Sequence, residues 1–237
     1  MKLSIENTQC TPQLEVENIY AAYVKKEILR GVSLNVVRGE ITFLHGGNGS
    51  GKSTLLKTIA GLLLPTKGRI LFDGKDITRM SVHNRQKVGI GYLLQGGRIF
   101  PNLTVGENMA IALKHHRNGK TGSDVQPGSI FHDLREKINV RAGLLSGGQR
   151  QMLSIEMVLA QEPDLVLFDE PTGGLTHDLS VEILDHIARF VQKRNCGVLI
   201  VEQNVDAARK VCDRQLTLSE AKIVQTIFCE RLDKKQP

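Results

Sequence analysis

Residues 41–56 read Ile41-Thr42-Phe43-Leu44-His45-Gly46-Gly47-Asn48-Gly49-Ser50-Gly51-Lys52-Ser53-Thr54-Leu55-Leu56. The apolar run Ile41–Leu44 predicts a short buried strand. From Ser53 to Leu63 the residues Leu55, Leu56, Ile59 and Leu63 recur on one face of a helix. Between them, Gly46–Ser53 fits GxxxxGK[ST]. Its glycines let the backbone bend until several N–H groups point at phosphate oxygens, and the following helix aims its positive end at the same place. Lys52 reaches the β and γ phosphates of a nucleotide and the Ser53 hydroxyl is a ligand for Mg²⁺. Strand, loop and helix in this order open an α/β nucleotide-binding unit. A dinucleotide fingerprint does not fit, because Gly47-x-Gly49 is followed by Lys52 where GxGxxG requires glycine.

Two further stretches extend this reading. Leu165–Phe168 runs straight into Asp169-Glu170, which places two carboxylates at the carboxyl end of a buried strand, where open α/β sheets bind ligands. One acid can hold the metal and the other can take a proton: Asp169 is the Mg²⁺ candidate in the manner of a Walker B aspartate, and Glu170 the general-base candidate. Leu145-Ser146-Gly147-Gly148-Gln149-Arg150-Gln151 precedes the apolar periodicity of Met152, Ile155, Val158 and Leu159. Ser146-x-x-Gln149 is a capping box. A cap alone does not account for Gly147-Gly148, and a glycine-bared helix start is a second anion site.

Outward from these motifs, Leu14–Glu40 alternates as β-strands separated by turns at Lys25-Lys26 and Arg38-Gly39. Arg69–Phe72 predicts a strand ahead of the Asp73-Gly74 turn, and Val88–Leu94 a strand ending near Gln95. Thr104–Glu107 is a capping box opening a helix with Met109, Ala110, Ile111 and Leu113. Residues 114–129, rich in Gly, Ser, His and basic side chains, predict a mobile surface loop, with His115-His116 as solvated side chains. From Leu165 the pattern gives a strand to Phe168, a helix Val181–Arg194, a strand Val198–Val201, a helix Val205–Val211, and closing strands near Gln215–Leu218 and Ile223–Phe228. The expected partition is an arm over 1–13, a core with a β-subdomain over 14–95, a largely helical insertion over 96–160, the second part of the core over 161–228 and a flexible tail over 229–237.

Composition narrows the classes. At 237 residues, 41% apolar and 24% charged, the chain is sized and balanced for one large domain or a domain with an inserted subdomain, not for disorder. No apolar run reaches the length of a membrane span. The start Met1–Asn7 lacks an apolar secretory core, so a cytosolic setting is expected. Cys10, Cys196, Cys212 and Cys229 form no CxxC pair, which points to free thiols. A net charge of +6 suits a polyphosphate, a nucleic acid or an anionic surface, but the aromatics are few and not interleaved with the basic residues, so no nucleic-acid partner is expected.

Together the motifs resemble the nucleotide-binding subunit of an ABC transporter over about residues 14–228, with Leu145–Gln149 reproducing the family's LSGGQ signature. The resemblance implies a P-loop NTPase fold of class α/β: a RecA-like core, an antiparallel β-subdomain and an inserted helical subdomain. It implies ATP and Mg²⁺ as cofactors, and two cassettes stacked head to tail so that Ser146, Gly147, Gly148 and Gln149 of one meet the nucleotide held by the other. ATP binding would fall to Tyr23, which matches the aromatic stacking on adenine, and to Gly46, Gly47, Asn48, Gly49, Ser50, Gly51, Lys52, Ser53, Thr54 and Gln95. Ser53, Gln95 and Asp169 would hold the metal; Glu170, Gln203 and Lys52 would be catalytic. Tyr23 is otherwise explicable as a half-buried strand residue. Thr172–Thr176 lies where the family has its dimer-contact loop, with Thr176 in place of the common Asp.

At Val201-Glu202-Gln203-Asn204 most members carry a histidine at the position of Gln203, which donates through its amide but cannot become a cation. This variant, with Phe100–Asn108 and Arg141–Met152, is similar to one ATPase subunit of branched-chain amino-acid importers and their urea-importing relatives. Gly47 in place of the commoner Pro, and Glu220-Ala221 in place of a glycine turn, depart from that branch. The resemblance therefore implies an ATPase on the cytoplasmic face of the cell inner membrane, powering import of branched-chain amino acids or a related small polar solute. Its partners would be a second ABC ATPase subunit (a copy or a paralogue), an integral membrane permease and, indirectly, a solute-binding protein. The competing readings are a soluble ABC ATPase in DNA repair or translation, which would carry a long coiled coil or two cassettes, and a nucleotide-gated module that hydrolyses weakly.

Overall fold

The computed structural model describes residues 11–24, 26–114, 128 and 130–229. Among these, two sheets carry the fold. The larger is built from β3 (Ile41–His45), β6 (Ile90–Leu93), β7 (Leu165–Asp169), β8 (Gly197–Val201), β9 (Arg214–Ser219) and β10 (Lys222–Phe228), in the order β10-β9-β3-β8-β7-β6. All neighbours in it are parallel except the β10–β9 edge pair. Its central strands are buried on both faces, which is why they read as continuous apolar runs. Side chains leave them alternately in two directions: Phe43, Phe168 and Ile200 join one core, and Leu44, Leu167 and Leu199 the other.

The second core is shared with a four-stranded antiparallel sheet of order β2-β1-β4-β5, made of β1 (Leu14–Tyr23), β2 (Lys26–Val36), β4 (Lys67–Phe72) and β5 (Lys75–Asp76). Helix α1 (Lys52–Ala60) lies in that core through Leu55, Leu56 and Ile59. The first core takes α3 (Val105–Leu113), α4 (Gly147–Leu159), α5 (His177–Arg194) and α6 (Val205–Val211), which supply Met109, Leu153, Ile155, Ile183, Ile187 and Ala208. Two single-turn helices, His132–Leu134 and Ala142–Leu144, connect α3 to α4. The α3 box forms as its sequence predicts: Thr104 N–H donates to Glu107 Oε2 (2.7 Å) and Glu107 N–H to Thr104 Oγ1 (3.1 Å).

Several boundaries differ from expectation. Helix α1 ends at Ala60, not Leu63, because Gly61 takes a left-handed cap with φ 84°. Helix α5 begins at His177, one turn before Val181. A short helix α2 (Val82–Lys87), opened by Ser81 accepting from Asn84 N–H, escapes the periodicity because what it buries is Arg85 and not an apolar stripe. The Arg85 guanidinium donates to the carbonyls of Thr58 and Ile59 at the end of α1 and to those of Thr78 and Met80. Burial lowers its pKa to about 10.

Gln13, assigned to the loose arm over 1–13, is fixed. Its side chain donates to Asp164 O (2.9 Å) and accepts from Gly197 N–H (3.1 Å), and its backbone pairs with Val36 and Asp73. Cys229, placed in the flexible tail, donates its N–H to Asp213 O, and its sulfur lies 3.1 Å from that of Cys212. Cys196, Cys212 and Cys229 are free thiols. Residues 1–10, Lys25, most of the 114–129 segment with His115-His116, and 230–237 lie outside the described residues.

Candidate nucleotide site

Helix α1 starts without a side-chain cap. Its N-cap is Gly51 with φ 106°, and an added Cβ there would lie 2.9 Å from Leu29 Cδ2. Both strain and contact therefore require glycine at this turn. Gly46 is required by close approach, since a Cβ would meet the Leu218 carbonyl at 2.2 Å. Gly47 and Gly49 face open space, and Asn48 is exposed at the loop's tip. Lys52 is buried and folds over the loop, donating from Nζ to the carbonyls of Gly46 (2.8 Å) and Gly47 (3.0 Å). Among the described residues the buried Ser50 hydroxyl has no hydrogen-bond partner, and Thr54 is buried.

The adjacent strand end supplies the acids. Asp169 is 1% exposed and accepts from Ser53 Oγ (3.0 Å) and from the Tyr92 hydroxyl (3.3 Å). Burial pushes its carboxyl above the ordinary range, against the two hydrogen bonds, and burial also raises the Tyr92 phenol. A buried carboxylate beside a hydroxyl is a set of hard oxygen donors, and a cation there would offset the cost of desolvation.

At Glu170 the chain turns through φ 54°, a left-handed conformation uncommon outside glycine. The turn is held by Glu170 N–H donating to Val201 O (2.9 Å) and Gly173 N–H to Glu170 O (3.1 Å). Gln95 donates from Nε2 to Glu170 Oε2 (2.7 Å) and Gln203 from Nε2 to Glu170 Oε1 (2.8 Å). Gln95, expected beside Mg²⁺, is thus hydrogen-bonded to Glu170; among the described residues no hydrogen bond joins it to Ser53 or Asp169. Tyr23 ends β1 half exposed.

The signature stretch forms a separate surface. Ser146 caps α4, accepting from Gln149 N–H (3.2 Å) while its own N–H donates to Gln149 Oε1 (3.1 Å). The two glycines differ: a Cβ on Gly148 would strike Leu179 Cδ2 at 2.4 Å, whereas one on Gly147 would meet nothing within 4 Å. One turn on, buried Gln151 donates to Pro171 O (2.7 Å) and ties α4 to the loop after β7. Thr176 caps α5 through its backbone, its carbonyl accepting from Ser180 N–H and Oγ.

Two contributors escape the sequence reading. Tyr92 sits in an apolar strand, where a phenol is unremarkable. Gln151 falls on a helix face that its polarity assigns to solvent.

Residues 29–173 match the family model described as ABC transporter. The chain is 35% identical, over 89% of both chains, to the probable branched-chain amino acid transport ATP-binding protein LivF of Archaeoglobus fulgidus. It is also 35% identical, over 90% of this chain and 89% of the other, to the lipopolysaccharide export system ATP-binding protein LptB of Haemophilus influenzae. The crystal structure of a nucleotide-free ATP-binding cassette from an ABC transporter superposes with a TM-score of 0.80 at 28% identity, covering 92% of each chain. The chain belongs to the ABC transporter family and is an ATPase cassette of that family, as the motifs and the α/β fold anticipate.

Proposed function

We propose that this chain binds MgATP in the 46–54 loop and hydrolyses it with Glu170 as general base. The observation that carries the reading is the grip on Glu170: two glutamine amides donate to its two oxygens beside the Ser53–Asp169 pair. Each carboxylate oxygen keeps a further lone pair, so Glu170 can accept the proton of an attacking water while its orientation stays fixed. Lys52 faces the β and γ phosphates, and Tyr23 stacks on the adenine. Ser53 and Asp169 would hold Mg²⁺, with Gln95 touching the ion or its water, and the bound ion would neutralise phosphate charge.

Ser146, Gly147, Gly148 and Gln149 serve the nucleotide of a facing cassette, a copy or a paralogue, in a head-to-tail pair. The pair docks on an integral membrane permease at the cytoplasmic face of the cell inner membrane. Among the described residues no helix is long and apolar enough to cross a membrane. The resemblance at Glu202-Gln203-Asn204 favours import of branched-chain amino acids or a related small polar solute delivered by a solute-binding protein.

Glu170→Gln tests the mechanism. It keeps shape and removes the base, so turnover should fall by roughly 10² to 10⁴-fold while ATP binding survives. With hydrolysis blocked, size-exclusion chromatography should show a dimer with ATP and none with ADP. Normal turnover would remove Glu170 from this role.

A further inference from the structure

Glu202 is a buried carboxylate outside the machinery described above. It is 3% exposed and follows β8 directly. One of its oxygens accepts from Thr172 N–H and Thr172 Oγ1, both at 2.7 Å. The other accepts from the N–H of Gln203 (3.0 Å) and, more weakly, from that of Asn204 (3.5 Å). Thr172 stands two residues after Glu170, and Gln203 is the residue whose amide holds Glu170.

We propose that Glu202 is a positioning residue for hydrolysis: its carboxylate ties the loop that carries Glu170 to the loop that carries Gln203, one oxygen to each. The inference deepens the reading of Glu170 as the base and rests on it.

Capping of α6 does not account for this carboxylate, because Asn204 supplies that cap by accepting from Ala207 N–H at 3.2 Å. Taking a carboxylate out of water is costly unless its lone pairs are used, and here backbone N–H groups and a hydroxyl use them. Burial pushes the carboxyl above its ordinary range while these hydrogen bonds oppose the shift. The chemistry requires an acceptor on both sides. A glutamine in its place keeps an oxygen for Thr172 but turns an NH₂ group toward the Gln203 N–H, so donor meets donor. A slip between the loops would move Gln203 Nε2 off Glu170 Oε1, and displacements of about 1 Å at a reacting group cost on the order of 10²-fold in rate.

The test measures kcat and KM for MgATP in the full chain bearing Glu202→Ala, Glu202→Gln, Thr172→Val, Glu170→Gln, and Glu170→Gln with Glu202→Ala. Glu202→Ala should lower kcat by about 10²-fold with KM nearly unchanged. Glu202→Gln and Thr172→Val, which disturb the link from one side only, should give smaller losses in kcat alone. They decide the matter if the alanine variant does not fold. The double variant should be no slower than Glu170→Gln, because with the base gone its placement no longer matters. Wild-type kcat in Glu202→Ala, or in both one-sided variants, would overturn the proposal. So would a rise in KM or a further slowing of the Glu170→Gln enzyme, either of which marks a general structural role. Normal turnover in Glu170→Gln would instead sink the base assignment, and this inference with it.

Discussion

Helices α1 and α4 both begin at glycines and both resemble anion sites in sequence, yet their first turns are completed in opposite ways. The start of α1 has no side-chain acceptor: its cap is Gly51, and the nearest cation, Lys52, lies on the loop's own carbonyls. The start of α4 is closed within the chain by the reciprocal Ser146–Gln149 box. First-turn N–H groups without side-chain partners are left to water or a ligand, and a glycine-lined start gives an anion access to them, whereas a capping box satisfies two donors within the chain. On the proposed function, the difference separates a site that holds its own phosphate from a surface that is offered to another molecule's.

The sharpest way to break this comparison is Lys52→Ala. Hydrogen bonds to charged groups contribute about 1.5–3 kcal/mol each, so loss of the ammonium should weaken ATP binding by at least about 10²-fold. Titration of the folded variant with a fluorescent ATP analogue checks it, and near-wild-type affinity would mean that α1 is not completed by phosphate.

A second change sharpens the α4 side. Gly147→Ala adds a methyl where the chain has nothing, so thermal stability should hold or rise slightly, since alanine outranks glycine in helices. If the space belongs to the facing nucleotide, turnover of the assembled pair should nonetheless fall by roughly tenfold, a few tenths beyond one kcal/mol. Unchanged turnover would assign Gly147 no role at the interface.

The smallest effect belongs to Ser146→Ala. Removing the cap should cost about 1 kcal/mol, roughly 2–4 °C in Tm for a domain of this size. ATP binding to the isolated chain should not change. A loss of affinity in the monomer would erase the distinction between the two helix starts.

Much of this was legible beforehand, for reasons that differ by region. Gly46–Ser53 constrains backbone, charge and hydroxyl at once, and Leu165–Glu170 couples an apolar run to an abrupt pair of acids; such patterns have few other uses. The helix at Val82–Lys87 was not legible because a buried guanidinium satisfied by carbonyls leaves no apolar period. The contrast between Gly147 and Gly148 is hidden too, since it depends on Leu179, thirty-odd positions away in the chain, in the first turn of α5. The resemblance places Gln95 with the metal; the structure adds that its amide donates to Glu170, a relation between two loops that no spacing encodes.

The clasp of Arg85 has a mechanical consequence. It fastens the carboxyl end of α1 to the segment at Thr78–Met80, which continues from the four-stranded sheet, while the amino end at Gly51 abuts Leu29 on β2 of that same sheet. Gripped at both ends, the helix cannot tilt alone. Because α1 also packs on β6 and β7 in the core that the two sheets share, a push delivered at the phosphate loop reaches both sheets through this one helix.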